Sequence, residues 1–314
     1  MTTLSTNDIK DYIPHRYENL LIDSFNLTDS SPSEFQITLS KNDALNRHIF
    51  LKNSSNPTIP IPVIAEFCAL GSIVSSGKIP DGAYIYFAAI SNVTSTNTSF
   101  LADEPCTGLT EKVSDKKGFF KYKFSVSTPS QGFIQGQIMA YYDKTGSAST
   151  TALEPLDLPQ DIIAALPNKS KVQSLTYKYS TMTFCDFIHD CAITNSALFS
   201  YHYASDHLLT KGHFPNNPVM MGVCQWMMVE DSVASLLQSN NHHLKESTLS
   251  LNAILFKEDL TPVCEIKSIE LECTVQSHSN EWLVNTKSVK KILFKQRVMP
   301  NDTIFCYLTN ITVT

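Results

Sequence analysis

The nine residues S-D-H-L-L-T-K-G-H at 205–213 have a counterpart, S-K-N-D-A-L-N-R-H, at 40–48. Their terminal histidines, His213 and His48, stand 165 residues apart, and the preceding segments I-H-D-C-A-I-T-N from Ile188 and I-D-S-F-N-L-T-D from Ile22 match at an offset of 166. Between the matches lies a strand-like segment in each copy, at 35–39 and 198–203. After each histidine come a Pro-containing loop and a long apolar stretch, 61–74 in the first copy and 219–237 in the second. One recurrence at so long an offset is a duplicated domain, because solenoid periods are only about 20 to 50 residues.

In the second apolar stretch Val219, Val223, Trp226, Met227, Val233 and Leu237 recur near helical spacing and most other positions are also apolar. That pattern predicts a helix buried nearly all round. Strand-like runs follow each helix: 84–90, 119–126 and 133–142, then 249–256, 266–275, 282–288 and 304–313. The expected fold class is α+β, with one buried helix and about five strands, twice over. Residues 1–142 form the first repeat and 175–314 the second. The Ser-, Thr-, Pro- and Lys-rich stretch 143–174 reads as a linker carrying a short helix at 159–166.

Composition narrows the function classes. With 314 residues, 42% apolar and 17% charged, the chain is globular rather than collagen-like, heptad-rich or disordered. A net charge of -6 and a pI near 5.8 argue against binding nucleic acid through its phosphates. The first twenty residues are broken by charges and a proline, and no stretch reaches eighteen apolar residues, so a soluble cytoplasmic protein without a membrane span is expected. Eight cysteines without a C-x-x-C pair, several inside apolar runs, read as buried reduced thiols. No histidine spacing suggests a metal site, and neither a metal nor a cofactor is expected.

The segment G-H-F-P-N-N-P-V-M-M-G-V at 212–223 closely resembles the G-H-F-P-G-x-P-V-M-P-G-V signature of bacterial 3-hydroxyacyl-[acyl carrier protein] dehydratases of the hot-dog fold. A second signature of that family, P-H-R-Y-P-F-L-L-x-D, is similar to P-H-R-Y-E-N-L-L-I-D at 14–23. Single-unit enzymes carry both marks in one short chain, whereas here they fall in different halves. Together with the repeat, the resemblance implies a fused double hot-dog, a pseudo-dimer within one chain.

In the family an acidic residue on the central helix follows the motif histidine by fourteen positions and the first motif proline by nine. Nine beyond Pro218 is Met227, which cannot ionise; nine beyond Pro57 is Glu66. The family site pairs the histidine of one unit with the acid of the other. The resemblance therefore implies one complete site, His213 with Glu66, and one vestigial site, His48 with Met227. Glu66 also stands out unaided, as the only charged side chain between Lys52 and Lys78. A buried carboxylate costs several kcal/mol unless paired or neutralised, and the structural alternative is that it merely satisfies a loop amide. His15 and Arg16, inside the second signature, are read as shaping the fold and are given no chemistry.

The chemistry implied is elimination of water from a 3-hydroxyacyl thioester to a 2-enoyl thioester, in fatty-acid- or polyketide-like biosynthesis. A histidine can take the C2 proton while a buried, protonated carboxyl protonates the departing hydroxyl. A backbone N–H at a helix start, of Gly222 or Ile61, would polarise the thioester carbonyl. Phe214, Pro218 and Val219 would line the acyl tunnel. The family's partner is an acyl carrier protein, for which Lys287, Lys290, Lys291, Lys295 and Arg297, or Lys112, Lys116, Lys117, Lys121 and Lys123, offer basic docking runs. A homo-oligomer, or a partner dehydratase or ketosynthase, also fits. Departures at Asn216, Met221, Ile61 and Leu70 keep two alternatives open: a weak or inactive acyl-binding or assembly protein, and a hot-dog thioesterase.

Overall fold

The protein is described by a computed structural model covering residues 2–16, 19–27, 32–39, 47–49, 51–52, 57–79, 83–98, 100–116, 118–143, 153–191, 193–214, 217–239, 246–276 and 279–313. Outside these lie residues 40–46 of the first histidine segment, 53–56 of its loop, Tyr17 and Glu18, Lys117, 144–152 of the linker, Pro215 and Asn216, and His242 and His243.

In chain order the elements are β1 (Thr2–Ser5), α1 (Thr6–Ile9), β2 (Ser24–Leu27), β3 (Ser33–Thr38), α2 (Ile61–Ser75), β4 (Tyr84–Asn97), β5 (Pro105–Lys116), β6 (Phe119–Ser127) and β7 (Phe133–Asp143). The second half continues with α3 (Gln160–Ala165), β8 (Lys169–Lys171), β9 (Phe187–His189), β10 (Ala197–His202), α4 (Gly222–Ser239), β11 (Glu246–Lys257), β12 (Pro262–Val275), β13 (Trp282–Phe294) and β14 (Thr303–Val313).

Helix α2 begins after Pro60 with Pro62 in its first turn, where a missing N–H breaks no helical bond. Every residue from Ile61 to Val74 is buried. A helix apolar on all faces has to be enclosed, and the sheet encloses both it and α4, which pack against each other. The strands form one antiparallel sheet in the order β1-β2-β3-β5-β6-β7-β4-β13-β12-β11-β14-β10-β9-β8. The two halves join where β4 pairs with β13, with Ile90 opposite Ile292 and Val93 opposite Val289, all buried. This is the double hot-dog architecture, α+β, with a single continuous sheet shared by the repeats.

The repeats are not superimposable in strand order. In the first half the strand leaving the helix, β4, forms the seam; in the second that position belongs to β13, and the last strand, β14, inserts between β10 and β11. The segment read as a linker is partly built into the second half. Residues 169–171 form an edge strand on β9, and α3 buries Ile162 and Ala165 against Leu198, Phe256, Phe305 and Tyr307. Beyond it, Lys178 forms a buried ion pair with Asp231 of α4, whose carboxylate also accepts the Phe184 N–H at 2.7 Å. Next to it, Glu230 accepts the Thr286 hydroxyl at 2.7 Å, and Thr286 in turn accepts the Trp226 indole N–H at 2.9 Å.

Candidate active site

The N-terminal segment crosses from the first half onto the histidine loop of the second. The Arg16 N–H donates to the Gly212 carbonyl at 2.9 Å, and the Asn19 amide contacts the Met221 sulfur at 2.9 Å. The Arg16 guanidinium folds back on the carbonyls of Ile13, His15 and Lys10, which fixes the turn. Only glycine permits this approach at 212: a Cβ there would lie 2.1 Å from Asn19 Oδ1 and 2.2 Å from the Arg16 carbonyl oxygen. The consequence is that His15 is held against the second half's motif, 5.1 Å between ring centroids from His213 and 5.3 Å from Phe214.

His213 is buried, and its Nδ1 lies 2.8 Å from the Val219 carbonyl oxygen. A carbonyl can only accept, so the proton sits on Nδ1 and the Nε2 lone pair is left free. Burial lowers the His213 pKa to about 4, with the Val219 bond opposing the shift, so the ring is neutral near pH 7. The next residue, Phe214, holds a left-handed backbone at φ 58°, a conformation that costs a non-glycine residue about 1 to 3 kcal/mol and occurs at functional sites. Its ring is seated against Tyr84 and Tyr86 of β4, at 5.5 and 5.3 Å.

His213, Phe214, Val219, Gly222 and Gln225 line a cavity of about 180 Å³ together with Tyr86 and Tyr141. Gly222 opens α4 on this wall, and a Cβ at that position would meet the Phe294 ring at 2.8 Å. Lys295 and Arg297 also line the cavity. Arg297 lies 3.9 Å over the Tyr86 ring and binds Asp143 at 2.5 Å, while Asn217 donates to the Tyr86 hydroxyl at 3.0 Å.

Glu66 is not on that wall. It borders an apolar void of about 10 Å³ between α2 and α4, with Val63, Met221, Cys224 and Met227. His15 occupies the intervening space, its Nε2 3.9 Å from Glu66 Oε1. Burial raises the Glu66 pKa to about 8 and pushes His15 well below 6.5, helped by His213 and Arg16. The contact is therefore between two neutral groups, not an ion pair.

The remaining expected site residues are placed as follows. Pro218 is off the cavity wall, because the turn closed by the Asn217 N–H to the Phe214 carbonyl at 2.8 Å carries Phe214 and Val219 inward instead. Ile61 is buried at the start of α2, also away from the cavity. His48 lies in a short 3₁₀ turn, Arg47–Ile49, that packs against another at Ser180–Met182. Ile49 and Met182 border the same apolar void as Met227.

Among the comparisons with known proteins, residues 190–284 match the ApeI-like family, described as ApeI dehydratase. Over 158 residues the chain is 30% identical to the 3-hydroxyacyl-[acyl-carrier-protein] dehydratase FabZ of Janthinobacterium sp., covering 48% of this chain and 99% of that protein. The chain belongs to the 3-hydroxyacyl-[acyl-carrier-protein] dehydratase family. FabZ of Saccharophagus degradans is also 30% identical, over 137 residues that cover 42% of this chain and 92% of that one. A solved dehydratase domain of a mycocerosic acid synthase-like polyketide synthase shares 9% identity at a TM-score of 0.49, with 89% of this chain and 98% of that domain covered. As a member of the dehydratase family the protein is a hydro-lyase. Among the described residues no helix is long and apolar enough to cross a membrane.

Two residues of the site escaped the sequence reading. His15 sat in plain view inside the second signature, but nothing in one dimension shows that its segment crosses to the other half. Gln225 lies on the buried first turn of α4, faces the cavity, and its side-chain oxygen makes no hydrogen bond with the described residues. The available signal was a lone amide in the run G-V-C-Q-W-M-M-V.

Proposed function

We propose that this dehydratase eliminates water from a 3-hydroxyacyl thioester carried on an acyl carrier protein, giving the 2-enoyl thioester. The observation that carries the reading is the His213 ring on the cavity wall, with Nδ1 committed to Val219 and Nε2 free as a base. His213 Nε2 takes the C2 proton, the electron pair forms the C2–C3 double bond, and the C3–O bond breaks. Glu66, protonated near pH 7, supplies the proton that leaves with the hydroxyl as water. The Gly222 N–H at the start of α4 polarises the thioester carbonyl.

The two halves, 1–142 and 175–314, act as a pseudo-dimer with one working site per chain. His48 and Met227 are the vestigial pair, in keeping with the apolar packing around Met227. The curated relatives are named for carrier-protein substrates, which supports a carrier protein as donor. The test is incubation with 3-hydroxyacyl thioesters of a carrier protein and of coenzyme A, read by intact mass. Loss of one water from the carrier-bound substrate alone is the expected result; release of free acid would mark a thioesterase, and an unchanged mass an acyl-binding protein.

A further inference from the structure

His15 has no part in the dyad, yet it is placed where the dyad needs something. It comes from the first half, as Glu66 does, and is pinned to the second-half loop that carries His213 through the Arg16–Gly212 hydrogen bond. Its side chain is almost fully buried, as is that of Glu66. Neither ring nitrogen of His15, nor Oε1 of Glu66, makes a hydrogen bond with the described residues. Buried polar atoms left in this way are destabilising, so three clustered at the acid and beside the base need an explanation. Their separation of 3.9 Å is about 1 Å beyond hydrogen-bond range.

We propose that His15 is a positioning residue of the dehydration site: its Nε2–H donates to Oε1 of the Glu66 carboxyl, leaving the proton on Oε2 for the departing hydroxyl, and its ring, set against His213, holds acid and base in register. The inference rests on the His213/Glu66 reading. The titratable and charged groups facing His15 are Glu66 from α2, His213 from the second-half loop, and Arg16 beside it in its own segment. A donor on Oε1 fixes the proton on Oε2, the oxygen that has to face the leaving hydroxyl, and because the same bond favours the carboxylate it holds the Glu66 pKa below what burial alone would set.

The test compares pH–rate profiles of the wild-type protein, His15→Phe and His15→Gln on a carrier-bound 3-hydroxyacyl substrate, with thermal unfolding as the check on folding. Phe preserves the buried ring and removes the donor. His15→Phe is expected to lower kcat about 100-fold with KM little changed, and to move the basic limb of the profile to higher pH. His15→Gln, whose amide restores a donor, should recover part of both. In a Glu66→Gln background His15→Phe should cause no further loss, since it acts through the carboxyl. A folded His15→Phe protein with wild-type kcat and an unmoved basic limb overturns the proposal. Should that variant fail to fold, His15→Asn, too short to reach Glu66, takes its place: wild-type kcat and limb then overturn the proposal, and a lowered kcat with a shifted limb upholds it. Full activity in Glu66→Gln alone would instead defeat the underlying dyad reading, so the two failures are distinguishable.

Discussion

His15 Nε2 stands 3.9 Å from Glu66 Oε1, and both groups are uncharged there: burial raises the carboxyl to about 8 and depresses the imidazole. With His213 lowered to about 4, the resting site holds a neutral base and a neutral acid across the whole interval between. The proposed elimination needs both, so kcat/KM should be level between about pH 5 and 7. It should fall above about 8 as Glu66 ionises, and below about 4 as His213 gains a proton. A steady-state profile checks this, and a basic limb surviving in Glu66→Gln would show that another group titrates there.

The two histidines of the repeat should differ sharply in consequence. His213→Gln removes the base from the cavity and should lower kcat about 100- to 10,000-fold. His48→Gln should leave turnover within about twofold, because the helical position opposite it in the family pattern is Met227, which borders an apolar void. Equal losses in the two variants would mean two working sites per chain.

Much of this organisation was legible in the sequence. The repeat offset, both central helices and seven longer strands follow from apolar pattern, since enclosure forces apolar side chains at nearly every helical position from Ile61 to Val74. Strand β5 was missed because its buried positions include Gly108 and Thr110 while Leu109 is exposed, and its last six residues, 111–116, are largely exposed and mostly charged, so no apolar alternation shows. The short strands β1, β2, β8 and β9 are too brief for a pattern to show. The insertion of β14 between β10 and β11 is a long-range pairing, with Leu255 opposite Cys306, that no local signal specifies. At the site, His213 was marked by its motif, whereas the intervening position of His15 depends on a crossing between halves.

Glu66 should also govern stability at alkaline pH. Its folded pKa, about 8, lies above the ordinary carboxyl value of 4.5, so between those values the folded protein holds a proton that the unfolded chain has released. Stability is then full below about 4.5 and declines as pH rises toward 8, by about 1.4 kcal/mol per pH unit for an ideally behaved group. Glu66→Gln cannot ionise. Its thermal midpoint should therefore exceed that of the wild type at pH 8 and the advantage should shrink toward pH 5. A difference constant with pH would show that Glu66 is not the titrating group.

The contact of Gly212 with the N-terminal segment gives a structural test of the crossing. Gly212→Ala places a methyl against the Arg16 carbonyl oxygen, which is backbone and cannot rotate away. The segment has to retreat, at about 1 to 3 kcal/mol for an overpacked contact, and His15 retreats with it. Lower thermal stability together with a kcat loss larger than any KM change is expected. Unchanged kcat in a destabilised variant would separate the crossing from catalysis.

Carrier docking should depend on the basic strand leading to the cavity rather than on every lysine of the runs. Lys287 is paired with Glu270 at 3.0 Å, Lys295 with Glu265 at 2.9 Å and Lys112 with Asp115 at 2.8 Å. Arg297 is engaged with Asp143 and Tyr86 at the cavity wall, so reversing it would disturb the wall itself. Lys290 and Lys291 border a surface groove on β13, the strand that ends at the cavity-lining Phe294. Since the chain carries a net charge of -6, an acidic carrier is repelled overall and needs such a local patch to dock. The double variant Lys290→Glu, Lys291→Glu should raise KM for the carrier-bound substrate about tenfold and flatten its dependence on ionic strength, through slower association. A short pantetheine thioester should be turned over by this variant as by the wild type, because it needs no docking surface. Equal effects on both substrates would place the two lysines in the site, and no effect on either would remove this strand from the docking surface.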